Sequence, residues 1–97
     1  MKPTADPLRP DLFVVARILE RLLREGEPML RTRLQVASNL NYGNCVRYVE
    51  WLRQRALVEV VAGDGEAERV ALTRKGREAY AQLSYWISEF IESGRRG

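Results

Sequence analysis

Apolar residues recur at helical spacing in four stretches of the chain, and at strand spacing in a short stretch between the third and the fourth. Leu12, Val15, Ile18, Leu19, Leu22 and Leu23 step by three and four, with Arg17, Glu20, Arg21 and Arg24 outside them. This predicts a first helix that Asp11 opens and Gly26 closes, with Glu27-Pro28 blocking continuation. A second, shorter helix begins around residues 30–33, groups Leu30, Leu34 and Ala37 on one face, and has Thr32 as its cap. Ser38-Asn39-Leu40-Asn41 then breaks the pattern, and Leu40 reads as an apolar anchor for the turn.

Asn41 is a good N-cap for a third helix, residues 41–57. Cys45, Tyr48, Val49 and Leu52 form its apolar face; Gly43, Arg47, Glu50 and Gln54 lie opposite, with Val46 to one side. Gly43 is a poor helix former in that first turn. Either its cost is small so near the helix end, or a position without a side chain admits close approach of a partner. A helix patterned in this way is either a surface reader of nucleic acid or an ordinary packed helix.

The spacing changes after Leu57. Val58-Glu59-Val60-Val61-Ala62 and Arg69-Val70-Ala71-Leu72 fit two strands joined through Gly63-Asp64-Gly65, a hairpin of modest length. Thr73 caps a last helix that runs to about Glu92. Tyr80, Leu83, Ile87 and Phe90 make a heptad-like seam along it; Ala79, Trp86 and Ile91 widen the seam, and Tyr85 lies off it. At 1.5 Å per residue this helix is roughly 28 Å long. Its C-terminal half should therefore project beyond a small core, with the seam covered by a second copy or folded back on the monomer.

At 97 residues, 45% of them hydrophobic and 30% charged, one small folded domain is expected rather than a disordered chain. No apolar run is long enough to span a bilayer, and no segment of signal-peptide type stands at the N-terminus, so a soluble, cytoplasmic protein with no membrane role is expected. There is one cysteine and no histidine, which leaves no internal disulfide, no multi-cysteine metal site and no Ser-His or Cys-His pair. Neither an enzyme, a cofactor nor a metal is expected. The lone Cys45 falls on an apolar face and reads as core.

The net charge of +3 is unevenly spread. Residues 31–55 carry five arginines against Glu50, whereas residues 56–68 carry Glu59, Asp64, Glu66 and Glu68 with no basic residue. The basic excess surrounds the third helix, as the footprint of an acidic partner should.

Three helices, a two-stranded hairpin and a last helix follow the winged helix-turn-helix order, a mainly α fold with a small β-hairpin (α+β). The bounds expected are an N-terminal arm at 1–10, the winged unit at 11–73, a C-terminal helix of the same domain at 74–93 and a tail at 94–97. Leu40-Asn-Tyr-Gly-Asn, Tyr48-Val-Glu-Trp-Leu, Leu57-Val-Glu and Leu72-Thr-Arg-Lys-Gly-Arg-Glu-Ala-Tyr80 resemble archaeal winged helix-turn-helix DNA-binding proteins with a C-terminal dimerisation helix. The Leu-Thr-x-x-Gly opening is shared with MarR-like and PadR-like regulators. Asn41 stands for the usual serine cap. Ala56 stands where glycine is common, which predicts a more regular helix end.

The resemblance implies a homodimer that binds double-stranded DNA as a transcription regulator or architectural chromatin protein, with the third helix in the major groove. Its DNA-facing residues would then be Asn41, Tyr42, Gly43, Asn44, Val46 and Arg47, with Arg31 and Arg33 either phosphate anchors or solvated surface arginines, and Arg69 the candidate contact at the base of the hairpin. Arg47 suits guanine and Asn44 adenine, although either could contact phosphate alone. Tyr42 either points outward or turns to the core edge. The dimerisation residues would be Tyr80, Leu83, Trp86, Ile87, Phe90 and Ile91. The acidic hairpin tip argues against the usual insertion of a wing beside phosphates. With Trp51 and Trp86 it leaves a second reading open, an adaptor that binds protein rather than DNA.

Overall fold

The computed structural model describes residues 8–62, 65 and 67–92. Most of the expected arm, the hairpin tip at 63, 64 and 66, and the tail lie outside the described residues. The chain forms α1 (Leu12–Glu25), β1 (Met29–Leu30), α2 (Arg31–Ala37), α3 (Tyr42–Gln54), β2 (Val58–Ala62), β3 (Glu68–Leu72) and α4 (Arg74–Trp86); a π-helical segment, Ile87–Glu92, continues α4. This is the winged-helix arrangement, a helical unit with a small antiparallel sheet.

The apolar stripes meet in one core. Val15, Ile18, Leu19 and Leu22 of α1 pack with Leu34 of α2, and with Cys45, Tyr48, Val49 and Leu52 of α3. Leu57, Val58, Val70 and Met29 close it from the sheet side. Each such aliphatic side chain contributes about 1.5–3 kcal/mol on burial. The ion pairs Arg24–Glu20 and Arg33–Glu25, at 3.3 and 3.4 Å, lie at the surface and add at most about 1 kcal/mol each. The core, then, sets the fold.

Three expectations are corrected. The sheet has three strands in the order β1-β3-β2, because Met29 and Leu30 pair with Val70 and Arg69 before α2 begins. Thr32 caps nothing; α2 starts directly from Leu30 with no side-chain cap. The last helix is not α-helical to Glu92, since its final turns widen into the π form.

The end of α3 also departs from the more regular one expected at Ala56. Three helices terminate on a residue in left-handed conformation: Gly26, Asn39 and Ala56, with φ of 75°, 58° and 61°. After α2, Asn39 N–H donates to Val36 and Leu40 N–H to Gln35, both at 3.1 Å. After α3, Ala56 N–H donates to Arg53 and Leu57 N–H to Leu52, both at 3.0 Å. Both patterns are Schellman motifs, whose paired bonds satisfy the last carbonyls of the helix. The alanine at position 56 thus keeps the geometry usual for glycine, and its Cβ bears the steric cost.

The Leu-Thr-x-x-Gly segment has a physical explanation. Thr73 Oγ1 lies 2.7 Å from the Ala56 carbonyl and 3.0 Å from that of Leu57, its single proton shared between them. It also accepts from Gly76 N–H at 2.9 Å, and Thr73 N–H donates to Leu57 at 3.2 Å. Gly76 is buried against the same backbone: a Cβ there would sit 2.1 Å from the Leu57 carbonyl oxygen and 2.7 Å from Leu72 Cδ1.

Two substitutions at this junction should move stability in opposite directions. Gly76→Ala should destabilise by about 3 kcal/mol or more, because backbone rather than a mobile side chain must yield. Ala56→Gly should stabilise by about 0.5–1 kcal/mol, the relief at positive φ exceeding the added entropy of the unfolded chain. Urea denaturation of both variants checks the signs; an unchanged Gly76→Ala midpoint would refute the close-contact account.

Candidate nucleic-acid interface

Helix α3 has one buried and one exposed face. Asn41 holds its start, in extended conformation, with Oδ1 accepting from Asn44 N–H at 2.7 Å. Cys45, Tyr48, Val49 and Leu52 are buried, while Tyr42, Gly43, Arg47, Glu50, Arg53 and Gln54 are exposed. Asn44 and Val46 are half-buried at the edges of that face. Tyr42, for which two orientations were open, points outward with 54% of its surface exposed.

Neighbouring elements fix this helix. Tyr48 Oη accepts from Asp11 N–H at 2.9 Å, which ties the centre of α3 to the start of α1; Asp11 Oδ1 in turn caps α1 by accepting from Phe13 N–H at 2.8 Å. Arg17 of α1 donates to the Ser38 carbonyl at 3.0 Å, pinning the turn between α2 and α3. The sequence pattern assigned Arg17 to the solvent side; an arginine within reach of the end of α2 was the only available hint.

The charges on this face are not equivalent. In the C-terminal half of α3, Arg53 donates Nε to Glu50 Oε1 at 3.0 Å and a second guanidinium nitrogen to Oε2, and Gln54 adds a bond to Oε2 at 3.2 Å. The Arg53 hydrogen bond, foremost, holds the Glu50 carboxyl below its ordinary range. Arg55 lies over the Trp51 ring at 4.0 Å, a cation–π contact that keeps the half-buried indole beneath it. Arg33 is exposed and paired with Glu25. Arg69 is half-buried in β3, opposite Leu30 and Val61. Arg31 turns towards the sheet, with a guanidinium nitrogen 3.8 Å from Glu68. Cys45 is fully buried, its Sγ 3.9 Å from the Arg31 carbonyl, and burial pushes the thiol pKa up.

The seam of the last helix divides in two. Tyr80 and Leu83 are half-buried and pack against the core of the monomer, as does Ala79. Trp86, Phe90 and Ile91 are exposed at 58%, 60% and 44%, and Ile87 is half-buried. Trp86 and Phe90 rings stack on each other with centroids 4.6 Å apart. With Leu12 and Phe13 of α1 they line an open apolar groove of about 490 Å³. Phe13 falls off the expected α1 stripe, and Leu12 and Leu23, which that stripe placed inward, are exposed at 54% and 40% because they lie at the two ends of the buried face; an aromatic beside Leu12 was the available signal.

Comparison with known proteins places this geometry. A family model described as winged helix-turn-helix matches residues 9–90. The chain belongs to the winged helix-turn-helix family. It resembles a MarR-family transcriptional regulator from Silicibacter pomeroyi at 30% identity and a TM-score of 0.64, over 78% of this chain and 54% of that one. The transcriptional regulator BldR from Sulfolobus solfataricus superposes at 17% identity and a TM-score of 0.74, over 84% of this chain and 58% of that one. A DNA-binding protein from Sulfolobus solfataricus superposes at 18% identity and a TM-score of 0.73, over 91% of this chain and 90% of that one. The chain spans about half the length of the MarR-family regulators it matches. No curated protein matches it. No helix among the described residues is long and apolar enough to cross a membrane.

The fold does not require Gly43. A Cβ there would meet only Asn41 Oδ1, at 3.7 Å, and its φ is not in the left-handed region. Gly43→Ala should therefore raise stability by about 0.5 kcal/mol, less than in a helix interior. A fall in thermal midpoint would show that the fold itself needs the glycine.

Proposed function

We propose that this chain is a homodimeric protein that binds double-stranded DNA, as a transcription regulator or as an architectural protein of chromatin, with α3 in the major groove. The outward N-terminal half of α3, on a winged helix-turn-helix scaffold, carries the proposal. On this reading Arg47 and Asn44 reach base edges, and Tyr42 and Val46 make apolar or phosphate contacts beside them. Gly43 lets the backbone approach, and Asn41 orients the first turn. Arg31, Arg33 and Arg69 meet phosphates. The printed descriptions of the similar structures, transcriptional regulators and a DNA-binding protein, favour the same class over an enzyme.

The dimer rests on the apolar groove. Trp86, Phe90, Ile91, Leu12 and Phe13 form a contiguous exposed apolar patch, which a soluble chain normally covers. A second copy seated there would present two α3 helices at a spacing fixed by the interface. Ile87 joins this contact, with Tyr80 and Leu83 at its inner margin.

One experiment tests both parts. Binding to random-sequence duplex should weaken steeply with salt, since each neutralised phosphate adds about 0.9 to the slope of log affinity against log salt. The double variant Trp86→Lys, Phe90→Lys should sediment as a folded monomer and lose affinity with the second contact. Absence of duplex binding at low salt would reject the DNA reading and favour the adaptor, for which the acidic, exposed Glu59 and Glu68 are the supporting observation. A wild type that sediments as a monomer would reject the dimer.

A further inference from the structure

Arg31 and Glu68 form a contact that the proposed function does not explain. The antiparallel register that pairs Met29 with Val70 and Leu30 with Arg69 continues to set Arg31 beside Glu68. The two side chains meet at 3.8 Å, within ion-pair range but beyond a hydrogen bond. The Glu68 side chain is 61% exposed and that of Arg31 27%, so the carboxylate is the more exposed partner of a half-buried arginine. Arg31 Nε is buried and has no hydrogen-bond partner among the described residues.

This guanidinium is under-satisfied. Arginine has five N–H donors in a rigid fork suited to a bidentate oxyanion. Here the one acidic side chain in ion-pair contact among the described residues is too distant to hydrogen-bond. The contrast lies on α3, where Glu50 takes two nitrogens of Arg53 and leaves that fork occupied. Arg31 keeps its terminal guanidinium nitrogens beside a carboxylate that does not hydrogen-bond them, and its carbonyl lies 3.9 Å from Cys45 Sγ, which sets it alongside α3.

Resting on the DNA reading above, we propose that Glu68 is an acidic gate on Arg31: the carboxylate of the third strand competes with a DNA phosphate for the guanidinium. Phosphate brings the bidentate geometry that Glu68 lacks. Engagement separates Arg31 from Glu68, and the carboxylate, already exposed, turns to solvent. The wing thereby lowers phosphate affinity at its base instead of adding to it. Non-specific binding is penalised most, because it depends on phosphate contacts alone.

A thermodynamic cycle on labelled random-sequence duplex tests this, using wild type, Glu68→Gln, Arg31→Gln and the double variant, with Glu59→Gln on the neighbouring strand as a control for net charge. Glu68→Gln should tighten binding roughly two- to fivefold, the range of a surface ion pair, and should steepen the salt dependence. In the Arg31→Gln background its effect should shrink to that of Glu59→Gln. Arg31→Lys, which keeps the charge and loses the fork, should retain part of the coupling and guards against misfolding of the glutamine variant. Equal effects of Glu68→Gln with and without Arg31, while wild type binds DNA, would overturn the gate and leave the DNA reading standing. If no variant binds duplex at low salt, both fall.

Discussion

The Leu57 carbonyl is the point on which the rest of the structure hangs. It accepts from Thr73, and Gly76 closes over it so tightly that no side chain fits between. One polar group thus joins the exit of α3 to the entry of α4, across the whole hairpin. Because Thr73 Oγ1 also caps α4, the contact fixes two helices with one side chain. Leu57 and Val58 are buried beside it, and the Thr73 hydroxyl bond to Leu57 is part-buried, which limits competition from water.

From that junction the placement of α3 follows. Its C-terminal end is held by a Schellman motif and the Thr73 contact, its centre by Tyr48, and its start by Asn41. The preceding turn is fixed by Asn39 in left-handed conformation, by the half-buried Leu40, and by Arg17 on the Ser38 carbonyl. A helix fixed at three points can offer its outer face without reorganising, which favours binding by limiting the entropy lost on association.

Charge on this surface is arranged by pairing as much as by count. Glu50 occupies Arg53, Glu25 occupies Arg33, and Glu68 stands beside Arg31 without a hydrogen bond. The five arginines of residues 31–55 therefore do not contribute equally to the field that a phosphate would meet. The apolar surface is likewise divided, with the inner seam of α4 completing the monomer core and the outer part joined to α1 in an open groove.

Local sequence pattern was enough for the four helices, the hairpin and the inward face of α3. The 3.6-residue period marked Cys45, Tyr48, Val49 and Leu52 because a helix has one inward side, and Asp11, Asn41 and Thr73 announced their caps through side chains suited to orphan N–H groups. Gly26 marked a helix end for a different local reason, since it adopts the left-handed conformation without a Cβ penalty. The remaining features come from contacts between segments far apart in the chain. Strand β1 is two residues long and exists through its partner, Ala56 is left-handed with its carbonyl bonded by Thr73, and α4 leaves α-helical geometry beyond the core. The partners of Arg17 and Arg31, and the union of Phe13 with Trp86 and Phe90, join residues distant in the chain. Periodicity and capping act over a few residues, whereas pairing and burial depend on what the fold brings alongside.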